Sequence, residues 1–185
     1  AITTGADLIV PSRNSLNSYP LAQQWSESFG NQRHSDHGYL DSAGNAIDTF
    51  FGPKMWKNGV NRYFEIFGDK RVAQELADMR LESIEKTYKL PITNEMRANE
   101  LARAQRDLQR SDHMMHMPTC LLVLHNYSVF SAPIDYTHPT KQTTFESSRQ
   151  SDYNGKRMMQ LSALDEQFAL VKRIHEKGTF NEELK

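Results

Sequence analysis

Apolar residues recur at helical spacing in four stretches of the chain and lose any regular period in two others. Between Pro53 and Gly68, the residues Met55, Trp56, Val60, Tyr63, Phe64 and Phe67 follow a period near 3.6, which predicts a helix weakened by Gly59. Asp69 is placed to cap a second helix reaching about Lys89, with Val72, Ala73, Leu76, Ala77, Met79, Ile84 and Tyr88 on a broad apolar stripe. Leu90-Pro91 ends it, because a residue before proline avoids the α region. Thr93 is a suitable cap for a third helix running to about Asp112, so that 69–112 reads as a helical hairpin. The fourth helix shows the cleanest seam. Met158, Leu161, Leu164, Phe168, Val171 and His175 alternate three- and four-residue steps, with Gly178 as a stop.

The irregular stretches are of two kinds. Residues 1–52 carry two basic side chains, Arg13 and Arg33, against five acidic ones, and Pro11 and Pro20 interrupt them. They read as an extended N-terminal arm of low charge. Thr119 to Phe130 holds β-prone apolar runs that permit one or two short strands or an extended buried segment. The polar stretch beyond it to Asn154 contains isolated rings. The predicted fold class is therefore mainly α. It is a small helical bundle and hairpin with long irregular arms, and one or two short strands near 119–130. Its expected parts are the arm 1–52, a helical region 53–115, an irregular segment 116–155 and the amphipathic helix and tail 156–185, all in one structural unit.

Composition sharpens this picture. Of 185 residues, 38% are hydrophobic and 24% charged, so the apolar shortfall is filled by neutral polar residues rather than by charge. That differs from the high-charge signature of disorder. The mean hydropathy of −0.68 and the lack of an apolar run near the 18–20 residues of a membrane span predict no transmembrane segment. Any membrane association is expected through partners. A net charge of −1 offers no field to attract a phosphate backbone, so nucleic acid is not the expected partner. The single Cys120 cannot form an internal disulfide, which suggests an intracellular, reducing compartment. Ala1 fits removal of an initiator Met or of a targeting segment.

Candidate chemistry is sparse. His34-x-x-His37 and His113-x-x-His116 each place imidazoles three apart, a spacing that on a helix brings both within reach of one metal. The first pair sits in a turn-like string, and Pro118 bends the chain after the second. Cys120 has His116 and His125 nearby in sequence, yet it leads an apolar run where free cysteine behaves as a small hydrophobe. No Glu-x-x-His occurs, and the nine glycines form no phosphate-binding loop. No cofactor is expected.

Aromatic rings set in polar, low-charge segments remain. Such side chains require burial, and apolar surface left exposed marks a partner site. The expected function is a non-catalytic structural or accessory subunit of a large multiprotein assembly: an organellar (mitochondrial) complex, a cytoskeletal filament or a virion. Its neighbours would be bound through Trp25, Phe29, Tyr136, Phe145 and Tyr153, and through the helical seam Leu161, Leu164, Phe168 and Val171. The alternatives are a small metal-dependent enzyme using His113 and His116, or a stand-alone helical adaptor.

Overall fold

The computed structural model describes residues 5–17, 19, 21–48, 55–109, 116–137 and 150–184. It is mainly helical with a small sheet: β1 (Leu8–Arg13), α1 (Leu21–Asp36), β2 (Met55–Trp56), α2 (Asn61–Glu65), α3 (Lys70–Tyr88), α4 (Asn94–Leu108), α5 (His116–Leu124), β3 (Val129–Ile134) and α6 (Gln150–Lys177). Where one structural unit was expected, the chain forms two compact ones. The first comprises Ala1–Lys57 with Asn126–Glu166, the second Asn58–His125 with Gln167–Lys185.

In the first unit, β1 is the middle of a three-stranded sheet ordered β2-β1-β3. It runs antiparallel to β2, with Leu8 opposite Trp56, and parallel to β3, with Leu8 opposite Val129 and Arg13 opposite Ile134. Leu8 and Val10 are fully buried. Leu8 and Asn14 donate their N–H groups toward β3, to the carbonyls of Ser128 and Ile134. Backbone donors alternate sides along a strand, so the donor missing at Pro11 would point to the β2 side, where the β2 ladder has already ended at Ile9 and Met55. Proline is accommodated there without loss of a ladder bond. The segment 1–52, expected as an extended arm, thus contains a six-residue strand and a sixteen-residue helix.

The second unit is built on the hairpin of α3 and α4. Asp69 Oδ1 accepts from Arg71 N at 2.8 Å, and Lys89 closes α3 in the left-handed region at φ 55°. Thr93 Oγ1 accepts from Met96 N at 3.2 Å and opens α4. Arg80 pairs across the hairpin with Glu100 at 3.1 Å and Asp107 at 3.0 Å. α3 buries Val72, Ala73, Leu76, Ala77 and Leu81, whereas α4 buries only Ala104 and Leu108. Arg173 on α6 forks onto Glu82 at 2.7 and 2.6 Å and reaches Glu75 at 2.8 Å. The seam of α6 buries Phe168 and Val171, and Gly178 stops the helix at φ 62°.

Two expectations are corrected here. Of the helix predicted over 53–68, the described residues 55–68 are instead β2, a turn and the short α2, followed by a 3-10 turn over Ile66–Gly68. Gly59 takes φ 95°, a left-handed conformation that breaks a helix, and the ladder to β1 holds Met55 and Trp56 extended. The β-prone run from Cys120 to Leu124 is helical, with Pro118 in the first turn, where proline is tolerated. Every residue of α5 from His116 to Leu122 is buried, and a short apolar run cannot by its period be told from a buried strand. Only the end of the stretch, at Val129, enters a strand. Among the described residues, no helix is long and apolar enough to cross a membrane.

Candidate functional site

The site rests on an inversion in α1. The helix turns polar and small residues inward: Ser26, Glu27, Gly30 and His34 are buried. Outward, at steps of four, stand Leu21, Trp25 and Phe29, which are 81%, 55% and 40% exposed. Residues four apart share one helix face, so these three form a continuous apolar stripe. The Trp25 and Phe29 rings stack with centroids 5.7 Å apart and planes 21° apart.

The inward face is polar because the rest of the unit supplies its partners. Arg13, at the end of β1, has a side chain only 1% exposed. Its backbone N–H donates to Asp48 Oδ2 at 2.8 Å, its Nε to the same oxygen at 3.0 Å, and a terminal nitrogen to Asp48 Oδ1. The same terminal nitrogen reaches Glu27 Oε2 at 3.2 Å, and the guanidinium lies over the Tyr19 ring at 5.4 Å. Burial alone would lower the Arg13 guanidinium, but its hydrogen bonds to Asp48 and the charge of Glu27 outweigh this and hold it above its ordinary value. One turn from the C-terminus of α1, His34 Nδ1 is hydrogen-bonded to the Gly30 carbonyl at 3.0 Å, and its ring meets Tyr39 edge-on.

Charge is absent from the outward strip. Its exposed positions from Leu21 to Gln32 among the described residues are Leu21, Trp25, Ser28, Phe29 and Gln32, and the one charged side chain in that span, Glu27, is buried. Charge appears only at the last turn, where Arg33 pairs with Asp165 and Asp36, and His37 lies 3.4 Å from Asp165. Depletion of charge around exposed aromatic rings is the compositional mark of an interface centre.

The other residues singled out by sequence fall differently. Tyr136 is half-buried, with its ring 6.3 Å from that of Tyr19, and belongs to the surroundings of Arg13. Phe145 lies outside the described residues, as do the side chains of Tyr153 and Leu161. Leu164, Phe168 and Val171 are buried within the chain itself, which corrects their assignment to a partner: these three are core residues. His113 lies outside the described residues, and His116 is buried in the first turn of α5. His34 belongs to α1, contrary to the turn expected there, and faces inward while His37 lies at the surface. Burial pushes the Cys120 thiol up, away from the thiolate a nucleophile needs. Among the described residues, no three His, Cys, Asp or Glu side chains converge as a metal set. Sequence reasoning missed Leu21, whose four-residue step to Trp25 and Phe29 was the available signal once the segment is read as a helix.

No protein-family model matches the chain, no curated protein matches its sequence, and no solved structure matches it.

Proposed function

We propose that the protein is a non-catalytic structural or accessory subunit of a multiprotein assembly, attached to a neighbouring subunit through the outward face of α1. The observation that carries this reading is the inversion itself: a helix with Ser26, Glu27 and His34 buried and Leu21, Trp25 and Phe29 outside. The occupant that fits is an uncharged apolar helix face on another protein. Leu21, Trp25 and Phe29 supply a ridge for it, and Ser28 and Gln32 supply hydrogen bonds at the rim. A nucleic acid strand stacking on the same rings requires cations beside them, and this strip has none.

Magnitude separates an assembly subunit from a stand-alone adaptor. Covering a large apolar side chain fully is worth about 1.5–3 kcal/mol, whereas association costs roughly 4–15 kcal/mol in lost freedom of motion. Three side chains, two of them already about half covered, therefore bind weakly alone. They suit one contact among several in an assembly, where linked contacts raise each other's effective concentration.

The test is site-specific cross-linking in the native source, with a photo-reactive residue at Phe29. The expected result is attachment to one partner, mapped to an apolar helix face and abolished by Trp25→Ser, with the thermal stability of the chain unchanged within about 0.5 kcal/mol. Cross-linking that survives Trp25→Ser, or a large loss of stability in that variant, overturns the reading.

A further inference from the structure

The second unit holds a constellation outside the α1 site. Tyr63 comes from α2, His125 directly follows α5, and His175 lies near the end of α6. Tyr63 Oη and His125 Nδ1 share a hydrogen bond of 2.9 Å, and the two rings meet edge-on at 5.5 Å and 89°. The imidazoles of His125 and His175 lie with centroids 5.0 Å apart and planes inclined by 56°. Among the described residues, His175 Nδ1 is buried with no hydrogen-bond partner.

The geometry points to a divalent transition-metal site in which His125 ligates through Nε2 and His175 through Nδ1, with Tyr63 Oη accepting the His125 Nδ1–H. Two imidazoles on one tetrahedral ion, each nitrogen at about 2.0–2.1 Å and each ring centroid roughly 1.2 Å further out, place their centroids about 5.2 Å apart. The observed centroid separation of 5.0 Å matches that spacing. The Tyr63 contact supplies what a ligating histidine needs at its other nitrogen, a partner that fixes tautomer and ring orientation. With two imidazoles and no carboxylate, water completes the shell. This donor set favours Cu²⁺ over Ni²⁺ and Zn²⁺. The pair is distinct from His113 and His116, which only sequence spacing suggested.

The test uses the full chain stripped of metal and titrated with Cu²⁺ and then Zn²⁺. One equivalent is expected to bind, with nitrogen hyperfine structure in the Cu²⁺ resonance spectrum. His125→Ala and His175→Ala should each weaken binding at least about 100-fold, and Tyr63→Phe by about 10- to 100-fold. Imidazole ¹⁵N shifts in the unsubstituted protein provide a readout independent of whether the variants fold. Zn²⁺ is expected to displace His125 Nε2 and His175 Nδ1 selectively. Unchanged affinity in folded His175→Ala, or ¹⁵N shifts confined to other histidines such as His37, overturns the site.

Discussion

Asp7 and Ser128, 121 positions apart, hold each other through backbone and side chain at once. The Asp7 N–H donates to the Ser128 carbonyl at 2.9 Å and to its Oγ at 3.0 Å. In return, the Ser128 N–H and Oγ–H both donate to Asp7 Oδ2, at 2.9 and 2.7 Å. Lys57 Nζ adds a contact to Asp7 Oδ1 at 3.2 Å. The clamp sits where β1 begins to pair with β3 and sets the register of the parallel ladder.

The hydrogen bond from the Ser128 hydroxyl, opposed by burial and aided by the Ser128 N–H and Lys57, holds the Asp7 carboxyl below its ordinary value of 3.8. A carboxylate with a depressed folded value contributes stability that is complete above its unfolded value and lost as pH falls through the folded one. Ser128→Ala should therefore cost about 1 kcal/mol at neutral pH. The difference from the unsubstituted protein should shrink as pH falls below about 4. Urea denaturation at several pH values, with ¹³C titration of the Asp7 carboxyl, checks both the size and the pH window.

Arg13 pairs with both Asp48 and Glu27, and all three side chains are shielded from water. Replacing it by methionine removes the cation that both carboxylates face, a loss expected to be about 3–5 kcal/mol. Arg13→Lys should also destabilise, because an ammonium cannot reproduce the fork onto Asp48. Chemical denaturation measures the loss. Its companion observation is α1, whose far-ultraviolet signal should weaken with Arg13→Met as Glu27 loses its inward partner.

Gly178 ends α6 at φ 62°, and a Cβ built there meets Asn181 Nδ2 at 2.7 Å. Gly178→Ala therefore combines left-handed backbone strain with a side-chain clash, and about 1–2 kcal/mol of destabilisation is expected. Shortening the neighbour in a Gly178→Ala, Asn181→Ala double variant should recover the clash but not the backbone strain. A thermal melt series across the single and double variants separates the two.

His125 has its folded value depressed, first by burial and then by His175. The stability this neutral imidazole contributes is present above the unfolded value near 6.5 and lost as pH falls through the lower folded value. His175→Gln removes the charge repulsion but not the burial, so the His125 titration should move part of the way back toward its ordinary range. Proton NMR of the imidazole Cε1–H follows this directly. An unmoved titration in that variant would show that His175 does not act on His125.

The hairpin was legible from local signals. Asp69 and Thr93 cap within one turn, Leu90-Pro91 breaks the chain in place, and Gly178 stops α6. The mainly helical class followed from the same periodicities. At the site, Trp25 and Phe29 stood out as rings in a low-charge segment, but Leu164, Phe168 and Val171 carried an equally clear apolar pattern and proved to be core. Periodicity reports that a face is apolar, not which molecule covers it.

What the sequence by itself determined, then, is where helices start and stop, because caps, prolines and left-handed glycines act over a few residues. The tertiary structure decided three things. It made β1 and β3 a parallel pair, a contact between segments far apart in the chain. It made α5 a helix, because burial on every side removes the amphipathic period that would announce one. And it turned α1 inside out. The polar face of that helix is stable in the interior only because Arg13 waits there for Glu27, and the Gly30 carbonyl and Tyr39 ring for His34. Arg13 and Tyr39 lie outside the helix, so no hydrophobic pattern within it encodes its orientation.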